Sequence, residues 1–419
     1  MKSIAIEPIT KIDAKVQIPG SKSITNRALV IAALAHGQSV LENVLFSEDT
    51  ELMISALQKA GIRMDQSGEQ LTVYGGVQNL QACPSPIFLG NSGTCMRFLT
   101  TMLILGRGSY ELDGIERMHE RPIKDLVDAL QGMGQNIKYK LKSGYPPLII
   151  QADSLKGGMV RLNANISSQY LTSLLLSCPY AKTATTIMLN GRLVSRPYID
   201  MTLQMMDSFG VVVMSSPDSF NILPQEYQAQ HYSIEPDASN ASYFFAAAAI
   251  TNGKVLVKNL HKDSLQGDIN FVDVLEQMGC TVANTSEGIT VQGVGSLKGI
   301  ETDMEDMPDM VQTLACVAVF ANSPTTITNV GNLVHKETDR LSAVATELSK
   351  LGVKIERLPD GLKIYPGIAC GGQVSTYNDH RMAMSFSLLG LKQQGIEILD
   401  PQCVEKTFPK FFEVFLNLK

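Results

Sequence analysis

The chain has 419 residues, too many for one ordinary hydrophobic core, so about two domains are expected. Its 44% hydrophobic and 18% charged content excludes a disordered chain, and a net charge of -6 argues against the broad basic face that nucleic-acid binding needs. Seven scattered cysteines without CxxC spacing fit free thiols in a reducing compartment, and no apolar run approaches the roughly 18 residues of a membrane span.

The first residues, with Lys2, Glu7, Lys11 and Asp13 close together, do not read as a signal peptide, so a cytoplasmic location is expected. A short strand is predicted over 4–8. Next comes Pro19-Gly20-Ser21-Lys22-Ser23-Ile24-Thr25-Asn26-Arg27, which runs straight into the apolar stretch 28–35. It places two cations, three hydroxyls and an amide at the start of a helix, where free N–H groups and the helix dipole already favour an anion. Arg27 adds a group that can grip a phosphate or carboxylate with two parallel hydrogen bonds.

From here one pattern recurs about every 70 residues: an apolar helix, a turn, then a β-rich strand. Its six copies pair the helix 28–35 with the strand 39–44, 96–105 with 109–112, and 170–178 with 185–189. The other three are 243–250 with 254–257, 313–320 with 325–328, and 382–389 with 396–399. These helices are apolar almost all round and are expected to be buried. A second, amphipathic helix follows each of the first five strands, over 54–60, 126–133, 201–209, 272–278 and 343–351. Each ends on a glycine suited to a left-handed C-terminal cap. Strands over 71–74, 147–151, 221–223, 288–292 and 362–365 close these units, and 408–416 is the second helix of a shortened sixth. Six mixed units that cannot bury their own faces predict an α/β chain of two domains, three units each, with helices inside and sheets outside. The irregular stretch 232–237 is the expected boundary.

Unusual polar residues gather before the helices. They include Gly90-Asn91-Ser92-Gly93-Thr94-Cys95-Met96-Arg97, Ser167-Ser168-Gln169, Asp237-Ala238-Ser239-Asn240, Asp306 with Asp309, and Tyr377-Asn378-Asp379-His380-Arg381. Before the second helices stand Glu120-Arg121-Pro122, Ser195-Arg196-Pro197-Tyr198, Lys336-Glu337-Thr338-Asp339-Arg340 and Glu405-Lys406-Thr407. Taken singly, each Ser, Asn or Asp is most simply an N-cap, and His380 and Cys95 are packing residues. The glycine-rich turn lacks a Walker lysine, and no His, Cys and carboxylate set has metal spacing. Recurrence of cations at one place in a repeated unit is what points to a ligand with several negative charges.

At these same motifs the chain resembles the 5-enolpyruvylshikimate-3-phosphate synthases of the enolpyruvyl transferase family, in seven pieces that follow in order along the whole length. The resemblance implies a two-domain inside-out α/β barrel of six βαβαββ units, with residues 1–20 and 236–419 in one domain, 21–235 in the other, and the active site in the cleft between them. It implies transfer of the enolpyruvyl group of phosphoenolpyruvate to the 5-hydroxyl of shikimate 3-phosphate, through a tetrahedral intermediate and without cofactor or metal. It also implies a monomer that glyphosate inhibits, because Gly93 keeps that turn free of a side chain. Phe98 stands where many bacterial relatives have proline.

Carried over residue by residue, the resemblance assigns Lys22, Gly93, Arg121, Gln169, Arg340, Arg381 and Lys406 to phosphoenolpyruvate. Shikimate 3-phosphate is assigned Lys22, Ser23, Arg27, Ser167, Ser168, Gln169, Ser195, Tyr198, Asp309, Asn332 and Lys336. Asp309 is the candidate base for the hydroxyl, with Glu337 and Lys22 as candidates for proton delivery and removal at C3. Two other readings stay open: a UDP-N-acetylglucosamine enolpyruvyl transferase, and a non-catalytic receptor for anionic metabolites. Against the first, the residues 114–119 before Arg121-Pro122 hold no cysteine. Against the second, a pure anion receptor gains nothing from Asp309 and Glu337.

Overall fold

A computed structural model describes residues 2–368 and 370–418. The chain divides into two compact units: a central unit, Gly20–Ile234, and a terminal unit that combines Met1–Pro19 with Glu235–Lys419. The central unit holds helices α1 (Lys22–Leu34), α2 (Glu48–Lys59), α3 (Gly93–Met102), α4 (Lys124–Gly132), α5 (Ser168–Ser177) and α6 (Arg196–Ser208). The terminal unit holds α7 (Ala238–Thr251), α8 (Phe271–Gln277), α9 (Val311–Ala318), α10 (Arg340–Lys350), α11 (His380–Gly390) and α12 (Phe411–Phe415).

Composition decides which helices go inside. Beyond their first turns, and Arg27 and Arg97 apart, helices α1, α3 and α5 are apolar or small on every face, so each needs neighbours on every face, and the three pack against one another. Helices α7, α9 and α11 form the same arrangement in the terminal unit. Such close contacts favour small hydroxyls, and these bond across the helices. Thr101 meets Ser173 at 2.6 Å between α3 and α5, while Thr313 joins Ser242 of α7 at 3.3 Å and Ser385 of α11 at 3.2 Å. The amphipathic helices bury one face only: α4 hides Leu126, Val127, Ala129 and Leu130 and leaves Lys124 exposed. Gly61 after α2 and Gly352 after α10 take φ of +99° and +80°, the left-handed cap that the sequence predicted.

Six small sheets enclose the helices. A typical one orders Gly158–Asn163, Thr185–Asn190, Ser219–Ile222 and Met214–Ser215, with the first pair parallel and the others antiparallel. Helix α5 is the crossover between its parallel strands. The chain's own path closes each set. His231–Ser233, at the end of the central unit, pairs parallel with Gly37–Glu42 near its beginning. In the terminal unit Asp13–Val16 pairs parallel with Lys254–Lys258, and Ser3–Ile6 pairs antiparallel with Ile396–Leu399 in the shortened last repeat.

Some elements differ from the sequence reading. The buried helices start earlier than their apolar runs, so much of the polar chemistry lies in their first turns rather than in loops before them; α1 begins at Lys22, not at residue 28. The tail 408–416, expected as one helix, holds only the short α12, because Pro409 keeps the segment that follows the 3-10 turn Pro401–Lys406 from continuing as a helix. Strands such as Arg63–Ser67 and Glu301–Asp303, which follow or precede the expected pieces, complete the sheets but carry mostly exposed polar residues without alternation.

Candidate active site

Caps set the geometry first. Ser21, Ser92, Ser167, Asp237 and Asp379 each accept a hydrogen bond from a backbone N–H in the first turn of α1, α3, α5, α7 and α11. The modest reading of these residues as N-caps therefore holds, and the caps aim the residues that follow.

In the central unit the helix N-termini join into one surface. Lys22 of α1 lies 3.2 Å from Asp49 of α2, and the Cys95 thiol of α3 donates to the Asp49 carbonyl at 3.2 Å. Arg121 donates from one Nη to the Asn91 carbonyl at 2.7 Å and to Asn91 Oδ1 at 3.2 Å, while Gln169 of α5 donates to Thr94 at 3.2 Å. Arg97 Nη2 donates to the Pro122 carbonyl at 3.0 Å, and Tyr170 donates to the same carbonyl at 2.6 Å. Gly93 is needed here for space. A Cβ on it would lie 2.1 Å from Arg97 Nη1 and 2.5 Å from Arg121 Nη2, so only glycine lets these two guanidinium groups close over the turn.

Arg27 is buried between the rings of Phe98, 5.5 Å away, and Tyr198, 6.0 Å away. It donates to Thr202 at 2.8 Å, to the Ser23 carbonyl at 2.9 Å and to the Tyr198 carbonyl at 3.2 Å. Burial lowers its pKa to about 10. Phe98 thus packs its ring against the Arg27 guanidinium. Ser195 precedes α6 with φ of +55°, is 4% exposed, and accepts at its carbonyl from the Tyr198 N–H at 3.2 Å.

The terminal unit gathers a denser cluster around one carboxylate. Asp309 Oδ1 accepts from Arg340 at 2.9 Å and from Lys336 at 3.3 Å, and its Oδ2 accepts from Arg381 at 2.8 Å. Arg340 is fully engaged, donating also to Glu337 at 2.9 Å and to Asp379 at 2.8 and 3.2 Å. Arg381 reaches Tyr243 of α7 at 3.3 Å. Burial alone would raise the Asp309 carboxyl, but Arg381, Lys336 and Arg340 outweigh it and hold it well below the usual carboxylate range. Burial lowers the Lys336 ammonium, only partly offset by Asp309. Asn332 lies in the turn Gly331–His335 with a buried Oδ1 that has no hydrogen-bond partner among the described residues. Lys406 is 3% exposed beside Thr407, whose carbonyl accepts from Asn240 of α7.

The site residues expected from the sequence therefore fall into two sets. Lys22, Ser23, Arg27, Gly93, Arg121, Ser167, Ser168, Gln169, Ser195 and Tyr198 belong to the central unit; Asp309, Asn332, Lys336, Glu337, Arg340, Arg381 and Lys406 belong to the terminal one. Partners missed in the sequence are Asp49, Tyr243 and Asp268. Asp268 is buried, bonds the Ser239 hydroxyl, and is pushed up to about 6 by burial and by Asp309. Among the described residues no group of His, Cys, Asp and Glu could hold a metal ion.

Two bundles of three buried helices, each wrapped by three small sheets and armed with cations at its helix N-termini, define an anion-processing α/β protein of the enolpyruvyl transferase fold. The model of the EPSP synthase (3-phosphoshikimate 1-carboxyvinyltransferase) family matches residues 6–415, and the chain belongs to that family. Among similar proteins, the 3-phosphoshikimate 1-carboxyvinyltransferase of Trichormus variabilis is 49% identical, with 100% of this chain and 99% of the relative covered. That of Marinomonas sp. is 46% identical over 99% of both. A solved EPSP synthase structure from Acinetobacter baumannii superposes with a TM-score of 0.83 at 27% identity, covering 100% of this chain and 98% of that one. The family match decides against the UDP-N-acetylglucosamine reading.

Proposed function

We propose that this chain carries out its family's reaction, the transfer of the enolpyruvyl group of phosphoenolpyruvate to the 5-hydroxyl of shikimate 3-phosphate, with the two sets of residues acting on one substrate pair. The observation that carries the reading is Asp309 held by three cations. Between them the substrates bring two phosphates and two carboxylates. Each anion that engages Lys336, Arg340 or Arg381 weakens the hold on Asp309 and raises its basicity. The base is thereby switched on by the molecules it is to act on.

In this scheme Arg121, Gln169, Arg340, Arg381 and Lys406 grip phosphoenolpyruvate beside Gly93. Ser23, Arg27, Ser167, Ser168, Ser195, Tyr198, Asn332 and Lys336 hold shikimate 3-phosphate, and Lys22 and Gln169 touch both. Asp309 takes the proton of the 5-hydroxyl as its oxygen bonds to C2 of phosphoenolpyruvate, while C3 gains a proton from Lys22 or Glu337. The tetrahedral intermediate then loses phosphate together with its bridging oxygen, C3 gives its proton back, and the enol ether remains. Arginines stay charged throughout and neutralise the departing phosphate. Each chain carries both sets of residues, so a monomer suffices. The seven cysteines are free thiols, which fits a cytoplasmic location.

The direct test is phosphate release from phosphoenolpyruvate with shikimate 3-phosphate, repeated with UDP-N-acetylglucosamine. Release with the first acceptor alone is expected. Release with only the second, or with neither, would overturn the assignment.

A further inference from the structure

Helix α10 grips the segment before α11 at two points. At one end Arg340 binds Asp379, the N-cap of α11, whose Oδ1 also accepts from the Arg381 N–H at 2.9 Å. Seven residues along the same face of α10 lies Glu347, which is 0% exposed. Its Oε1 accepts from the Tyr377 hydroxyl at 2.6 Å, and its Oε2 accepts from the Ser375 N–H at 3.0 Å and from Lys350 at 2.6 Å. Between the grips, Tyr377 and Asn378 both sit in the left-handed region, with φ of +55° and +52°. Two consecutive residues other than glycine in that region are costly and persist only where the surroundings fix them. The Tyr377 ring is 42% exposed, so packing alone does not fix it. The carboxylate of Glu347 is the fixing group. Its neighbourhood raises the Tyr377 phenol to about 12, chiefly through burial and then through the bond to Glu347, which keeps the donor proton in place.

We infer that Glu347, acting through Tyr377 and Ser375, is a positioning residue that sets Asp379 and hence the Arg340–Arg381 pair for phosphoenolpyruvate. The inference rests on the reading that these two arginines receive that substrate. Glu347 touches no reacting atom and is assigned no chemical step. Its work is to hold a strained turn whose last residue both caps α11 and anchors Arg340. Release of the turn lets Asp379 drift and loosens both guanidinium groups together.

The test uses the full-length enzyme and four variants: Tyr377→Phe, Glu347→Gln, Glu347→Ala and Arg381→Ala. Tyr377→Phe deletes one hydroxyl at a half-exposed ring, so folding should survive, checked by a thermal midpoint within a few degrees of the parent. It is expected to raise KM for phosphoenolpyruvate by about 5- to 10-fold while kcat and KM for shikimate 3-phosphate stay within about twofold. Glu347→Gln keeps an acceptor and should have a smaller effect than Glu347→Ala, provided the latter folds. If Arg381→Ala raises KM for phosphoenolpyruvate but Tyr377→Phe and Glu347→Gln leave it unchanged, the positioning role is wrong and the substrate assignment stands. If Arg381→Ala also leaves it unchanged, both fall. A drop in thermal midpoint with no selective change in KM would reduce Glu347 to a purely structural group and overturn the inference.

Discussion

Replacing Asp309 by asparagine keeps the shape of the side chain and removes one charge from a cluster of three cations. One of its oxygens becomes an NH2 group, which then faces Arg381 at 2.8 Å or Arg340 and Lys336 at 2.9 and 3.3 Å as donor against donor. Breaking a buried ion pair on one side costs about 3–5 kcal/mol. Here Arg340 keeps Asp379 and Glu337, and Arg381 keeps Tyr243, so a loss of about 1–3 kcal/mol is expected. For a unit of this size that is a fall of roughly 3–10 °C in thermal midpoint. Because the cations depress the Asp309 pKa, its stabilisation is fully present above its ordinary value of 3.8 and is lost as pH falls toward the lower folded value. The difference between parent and variant should therefore be flat from about pH 5 to 8 and narrow only in stronger acid. In the phosphate-release assay kcat should fall about 100-fold or more, while the KM values move less than about tenfold. A variant with kcat within about threefold of the parent would refute the role of Asp309 as base.

Gly93→Ala forces its Cβ into the ends of Arg97 and Arg121. Those ends can swing, so stability should change by less than about 1 kcal/mol, whereas KM for phosphoenolpyruvate rises about tenfold as Arg121 is displaced. Inhibition by glyphosate should weaken in the same variant, and a parent enzyme untouched by millimolar glyphosate would contradict the open turn at Gly93. Asp268 behaves in the opposite sense to Asp309. Folding raises it to about 6, so its ionised form opposes folding above that pH and costs nothing below its ordinary value of 3.8. Asp268→Asn should be more stable by up to about 3 kcal/mol at pH 7–8, with the gain vanishing below about pH 4; a variant equally or less stable at pH 8 would show that the Ser239 bond matters more than the charge.

The sequence made the framework legible where one physical demand dominated. The unbroken, alanine-rich apolar run 28–35 reads as a buried helix, and a glycine just after an amphipathic stretch reads as a left-handed cap. It misled at the helix starts. Thr25, Asn26 and Arg27 look like loop residues by polarity, yet all three lie within α1 and are buried; Arg27 is satisfied there by acceptors on α1 itself and on α6, and Thr25 accepts from the Leu45 N–H. Strand Arg63–Ser67 was invisible for the converse reason: it is an edge strand with a single buried apolar residue, Met64, among exposed polar ones. The cations were legible through their recurrence. Their partners were not, since Asp49, Tyr243 and Asp268 gain meaning only when folding sets them beside Lys22, Arg381 and Ser239. Glu347 is the extreme case, an acidic residue on an amphipathic helix whose burial no periodicity announces.

Phosphate is expected to leave by addition and elimination at C2, not by attack at phosphorus. Phosphoenolpyruvate carrying 18O in its C–O–P bridge, turned over with shikimate 3-phosphate and followed by mass spectrometry of the phosphate, tests it directly. The label should appear wholly in the released phosphate, with an enol ether of shikimate 3-phosphate formed in equal amount. Unlabelled phosphate, with the 18O left on the three-carbon product, would mean P–O cleavage and would contradict enolpyruvyl transfer by this chain.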